Sequence, residues 1–165
     1  MNTRFATLIE DAESRYLTDG EQQEILSYAQ SLPSRFQASA AIEAAETKII
    51  DECVSQIRQD YPNMEKYHHS GWDKAKRDMQ LVLRHCTVAM VTDDLVGLDD
   101  RLLFWLRTIL SSVNLTPKFV HDSYSYMRAS CEANLSADAF TLLEPALERT
   151  IAVLSDFPEP HMPAV

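Results

Sequence analysis

Apolar residues recur three and four positions apart along most of this chain, the spacing of one face of a helix. Phe5, Leu8, Ile9, Ala12 and Tyr16 mark a first amphipathic stretch over residues 3–16. Thr18-Asp19-Gly20-Glu21 has the form of a capping box and predicts a short helix to Gln30, with Pro33 expected to end it. Residues 34–61 are alanine-rich and periodic through Phe36, Ala40, Ala44, Ile49, Ile50, Val54, Ile57 and Tyr61. They predict one long helix, or two run together, stopped at Tyr61-Pro62. A loop holding His68 and His69 follows. The central stretch, Trp72 to Arg107, reads as two helices joined by an acidic turn. Ser70 is a candidate N-cap, with Asp73 as its capping acid. Leu81 to Val91 is nearly all apolar and is expected to be buried on most sides. Thr92-Asp93-Asp94 breaks the run, and Leu102 to Leu110 resumes it. Thr116-Pro117 pairs an N-cap with a proline at the first helical position and starts a helix to Asn134. Ser136 caps a last helix, Ala137 to Leu154. Pro145 predicts a kink there, because the apolar run continues through Ala146, Leu147, Ile151 and Leu154. Phe157-Pro158-Glu159-Pro160 reads as irregular. No stretch sustains the alternation of a strand, so the fold class is all-α.

Composition narrows the function. A chain of 165 residues suits one domain with one core. Acidic residues outnumber basic ones 25 to 15, a formal charge of −10, which argues against nucleic acid and anionic lipid as partners. Docking onto a basic protein stays open. No apolar run is long enough to span a bilayer. Cys53, Cys86 and Cys131 are an odd number, widely spaced and without a secretory leader, so reduced intracellular thiols are expected. There is no phosphate-cradling glycine loop and no nucleophile–base pattern, hence no expectation of an enzyme. The cysteine and histidine spacings match no zinc motif. His85 and His121 are the candidates for haem ligation on a helical scaffold, a minority reading. Asp99-Asp100-Arg101 reads as helix-start acids plus an ion pair.

Two motifs carry a resemblance. Arg77-Asp78, Leu83-Arg84, Thr87, Asp94, Leu98, Asp100-Arg101 and Leu106-Arg107 follow, without a gap, the pattern of the chromophore-bearing helix of phycobiliproteins. Asp11, Arg15, Tyr16 and Leu17 match that family's Asp-x-x-x-Arg-Tyr-Leu. The chain thus resembles the bilin-binding light-harvesting proteins of cyanobacteria over nearly its whole length. The resemblance implies a helical hairpin (1–32) that clasps a partner, a globin-like body (33–156) and an irregular tail (157–165). It implies that Asp11 of one subunit pairs with Arg84 of another, beside Tyr16 and near Arg15. It also implies that Arg77 meets a bilin propionate and Asp78 the pyrrole N–H groups, pairings that suit guanidinium and carboxylate. Neighbouring helical residues diverge by about 100°, so these two would grip different parts of an extended ligand.

One position departs from the family. Ala75 stands where the bilin-linking cysteine is found, so the usual thioether cannot form and no covalent bilin is expected. Cys86 lies on the same helical face as Ala75, roughly 16 Å further along. It would serve a displaced linkage, although a buried core cysteine is the plainer reading. A noncovalent bilin on Arg77 and Asp78 stays open. Phe104, Trp105 and Val88 are bulky, and are expected either to fill space a tetrapyrrole would occupy or to pack an ordinary core. The leading expectation is a phycobilisome-associated subunit acting through its surfaces in structure, assembly or regulation. Its partners would be itself, homologous subunits, a photosystem or an assembly factor, at the cytoplasmic side of the thylakoid. The second reading is a bilin-binding light-harvesting subunit, and the third a haem or small-molecule sensor.

Overall fold

In the computed structural model, residues 3–63, 71–113 and 115–159 are described, and every regular element among them is helical. In chain order these are α1 (Thr3–Asp11), α2 (Asp19–Asp60), α3 (Gly71–Thr92), α4 (Leu95–Leu98), a π-helical turn (Asp99–Leu103), α5 (Phe104–Ser112), α6 (Pro117–Asn134) and α7 (Ala137–Leu154). The all-α class expected from the sequence is the one observed, a globin-like helical body preceded by a hairpin.

The local start signals act as read. Thr18 and Glu21 complete a reciprocal capping box at the head of α2. Thr116 accepts from the Phe119 N–H with Pro117 behind it, and Ser136 accepts from the Ala139 N–H. The Ser70 cap, His68 and His69 lie outside the described residues. α7 continues through Pro145 as one element.

Pro33 does not end its helix. α2 runs on for 42 residues with Pro33 inside it. An internal proline costs about 3 kcal/mol relative to alanine, so something must offset it. Two anchors flank it. The Tyr28 hydroxyl donates to the Val91 carbonyl at 3.1 Å, and Arg35 donates to the Met90 carbonyl and to Asp93 Oδ1. These carbonyls belong to the C-terminal turn of α3, where a helix has no acceptors' partners of its own. A cation there also suits the helix dipole. Asp93, just past the end of α3, takes the left-handed conformation (φ 53°) that reverses the chain.

The core is formed by α2, α3, α6 and α7, with Leu98, Leu102, Leu103, Leu106 and Leu110 of the α4–α5 segment added to it. Ile49, Ile50, Val82, Leu83, Met127 and Leu147 are among its fully buried side chains, each contributing about 1.5–3 kcal/mol by leaving water. The hairpin, α1 with the first turns of α2, is tied to this body where the Tyr28 hydroxyl meets the Val91 carbonyl, and is held together by contacts of its own. Phe5 packs edge-on against Tyr28 with ring centroids 4.9 Å apart. Arg15 forms two 2.8 Å hydrogen bonds to Glu21 across the hairpin turn. That contact first, then the Thr18 backbone, holds the Glu21 carboxyl down to about 2. The hairpin still leaves apolar side chains in solvent, notably Ile9 and Leu26, and Tyr16 is 98% exposed.

A candidate ligand cavity and a docking face

One face of α3 carries Ala75, Asp78, Met79, Val82 and Cys86, and its first half opens onto a cavity of about 260 Å³. Ile57 of α2, Ile109 and Leu110 of α5, and Val120 and Tyr124 of α6 line its other sides. The lining is mainly apolar, with Lys74, Asp78, Ser123 and Tyr124 as its polar members. Ser123 is satisfied by the Phe119 carbonyl at 2.7 Å. Burial pushes the Asp78 carboxyl up, against the opposing charges of Arg77 and Lys74. Burial, then the Asp78 charge, pushes the Tyr124 phenol up as well.

Of the residues singled out in the sequence, Ala75 and Asp78 meet at this cavity. Arg77 is exposed and is not part of its wall. Cys86 is fully buried away from it, its thiol 3.2 Å from the Thr150 hydroxyl and raised to about 12 by burial. The thiols of Cys53 and Cys131 are likewise buried and raised to about 12. His85 is half-buried on α3, where burial and then Arg101 lower its imidazole, and His121 is exposed on α6 beside Asp122. Neither histidine lines the cavity. Asp99 and Arg101 form ion pairs, with Arg149 and Asp94 respectively.

The expectation that Phe104, Trp105 and Val88 fill this space is overturned. All three point outward, with Trp105 57% exposed. Leu102, Leu103, Leu106 and Leu110 take the inward positions, which leaves the helix face of Phe104 and Trp105 to solvent. Sequence reasoning missed Lys74 and Tyr124. Lys74 was within reach, because it sits one turn before Asp78 on the same face. Tyr124 comes from a helix 46 positions further along the chain (124 − 78), with no local signal.

A second feature lies between α2 and α3. Glu46 receives two hydrogen bonds from Arg84, at 2.8 and 2.6 Å, in a groove also lined by Ile42, Glu43, Thr47 and Thr87. Arg84, which the resemblance assigns to contact with another subunit, is thus held by its own chain while remaining largely exposed. Asp11 is exposed at the end of α1, and Arg15 is committed to Glu21.

A profile for phycobilisome proteins matches residues 8–154. The chain belongs to the phycobilisome protein family. It is 28% identical to an allophycocyanin subunit beta-18 of a Synechocystis species over 122 residues, covering 70% of this chain and 72% of that protein. It is 31% identical to an allophycocyanin beta chain of a Synechococcus species over 111 residues, covering 64% of this chain and 68% of that protein. Family membership places the protein in photosynthetic light harvesting and implies assembly with other phycobiliprotein subunits. Among the described residues, no helix is long and apolar enough to cross a membrane.

The bilin of this family does not fit the cavity as a thioether-linked group. Its only sulfur-bearing wall residue among those described is Met79, whose thioether is no nucleophile, and Ala75 offers a methyl group.

Proposed function

We propose that this phycobilisome protein works through its surfaces, as a structural, assembly or regulatory subunit, and carries no covalently attached bilin. The observation behind this is the cavity wall, where Ala75 and Asp78 are found and none of the described lining residues carries a thiol. Thioether formation needs an accessible thiolate, and burial keeps the thiols of Cys53, Cys86 and Cys131 protonated. The exposed apolar side chains of the hairpin support docking. So does Arg84, whose guanidinium remains largely accessible on α3. The partner is a second copy or a homologous subunit, meeting Asp11, Arg15, Tyr16 and Arg84, at the cytoplasmic side of the thylakoid. Photosystem components and assembly factors are further candidates of the same reading.

Co-expression with bilin synthesis and bilin lyases, followed by denaturing electrophoresis, is the test. The band is expected to stay dark under zinc-enhanced fluorescence. A fluorescent band would overturn the proposal, and its loss in Cys86→Ser would move the linkage to Cys86. The unpartnered carboxyl of Asp78 favours a second reading, a bilin held noncovalently by Asp78 with Arg77 outside the cavity. That reading expects a visible absorption band that is lost on denaturation.

A further inference from the structure

Most exposed apolar side chains of this acidic chain sit among charges. Ile9 precedes Glu10 and Asp11, Phe36 follows Arg35, and Leu81 and Val88 flank Arg84 on α3. The outer face of α5 differs. Phe104, Trp105, Ile109 and Val113 are each more than a third exposed. The last three fall at i, i+4 and i+8, one stripe of a helix. From Leu102 to Val113 one residue is charged, Arg107. Its guanidinium lies over the Phe104 ring at 5.5 Å and reaches Asp156 at 3.5 Å. The hydroxyls of this stretch turn back onto their own helix. Thr108 donates to the Phe104 carbonyl at 3.0 Å, Ser111 to that of Thr108 at 2.9 Å and Ser112 to that of Ile109 at 2.7 Å. Covering them therefore leaves no hydroxyl donor unpaired.

Charge narrows what covers this face. A two-fold contact sets the same patch of both copies together, so a charged patch meets like charge and is opposed. A molecule of formal charge −10 meets its own copy with least repulsion where no charge lies, and the α5 stripe is such a place. Asp100 and Arg101, at its start, are opposite in sign, and Arg101 is paired with Asp94 at 3.0 Å. In an antiparallel crossing they lie over the uncharged end of the second helix, Ser111 to Val113. A basic partner finds no acidic group within the stripe, and an acidic one finds only Arg107, which already meets Asp156. We propose that the α5 face is a self-association surface, on which Phe104 and Trp105 of one copy pack against Ile109 and Val113 of a second about a two-fold axis. α5 has nine residues and is about 13 Å long, so the contact is smaller than the about 800 Å² per partner of a standard interface. The dimer is accordingly reversible and forms at high concentration. This goes beyond the proposed function, since the hairpin, Asp11 and Arg84 take no part in it.

Sedimentation equilibrium of the full chain, over a concentration series at about 0.05 M and about 0.5 M sodium chloride, is the test. Salt screens the repulsion between two molecules of like charge, so this dimer should tighten as salt rises. Association through Asp11 and Arg84 is ionic and should loosen. At the higher salt, Arg84→Ala should leave the dimer unchanged. Trp105→Ala should weaken it by roughly tenfold, as loss of a central aromatic contact does, and Trp105→Glu should abolish it. Trp105 is exposed in the monomer, so its variants are expected to fold, as checked by circular dichroism. The chain has two tryptophans and Trp72 is buried, so a blue shift of emission with concentration reports Trp105 leaving water. A monomer at every concentration and salt, a dimer that survives Trp105→Glu, or one that loosens as salt rises would overturn the proposal. So would an emission shift that appears only when a homologous subunit is added, which would assign the face to that subunit.

Discussion

Gly97 has no space for a side chain. A Cβ there would sit 2.1 Å from Arg101 Nη2 and 2.3 Å from Asp94 Oδ2. Those atoms form a 3.0 Å ion pair, and Asp94 also accepts from the Gly97 N–H at 2.9 Å as the N-cap of α4. Gly97→Ala should therefore break the Arg101 contact and displace the cap, lowering stability by about 1–2 kcal/mol in urea unfolding. An unchanged midpoint would mean the bridge is dispensable. The same aspartate confers a pH dependence. Burial tends to raise its carboxyl, but the Gly97 N–H, Thr3 and Arg101 outweigh this and hold it below its ordinary value. A carboxyl lowered in the folded state stabilises the protein above its unfolded pKa, and that contribution is lost as pH falls through the folded value. Glu21, held to about 2, acts in the same direction over the interval below 4.5. Stability should thus fall between about pH 4.5 and 2. In Asp94→Asn the fall should be shallower, as read from unfolding midpoints across that range. In the sequence Asp94 was legible as a breaker and as a motif position; its cap and its contact with Thr3 depend on a chain reversal that one residue type does not encode.

At the scale of elements, helices with local start signals were legible and the one held from a distance was not. Thr18, Thr116 and Ser136 each act within three residues, and the elements they open begin where expected. Pro33 carries an equally local stop signal, yet α2 passes through it. The opposing contacts, Tyr28 to Val91 and Arg35 to Met90 and Asp93, span 63, 55 and 58 residues. Pro33 is itself exposed, so Pro33→Ala should restore a backbone hydrogen bond without disturbing the packing. A gain of about 1–3 kcal/mol is expected, seen as a higher Tm. A lower Tm would mean that the bend imposed by proline is what lets Tyr28 and Arg35 reach α3 together. The π-helical turn Asp99–Leu103 was also hidden. Such a turn departs from the 3.6-residue period on which pattern reading rests, and the outward placement of Phe104 and Trp105 follows from geometry that the apolar run alone does not display.

For the whole molecule, association is the property to measure. Arg84 already binds Glu46 through both nitrogens of its fork, so a carboxylate from another subunit must compete with an internal one. Glu46→Gln should strengthen association, and Arg84→Ala or Asp11→Ala should weaken it, by up to roughly fivefold in Kd, the scale of an exposed charge pair. Sedimentation of the purified chain, with and without homologous subunits, is the measurement. A monomer under every condition would remove the hairpin from the account. The family and the all-α body were legible because paired motifs span the chain, whereas the cavity was only half legible, since Ala75 and Asp78 share one helix and Tyr124 arrives from another. The three sealed thiols, finally, make the protein a clock for its own breathing. Cys53, Cys86 and Cys131 sit on α2, α3 and α6, and a maleimide can reach each only when its helix opens. Labelling rates at the three sites, read by peptide mass, would rank the order in which those helices leave the core.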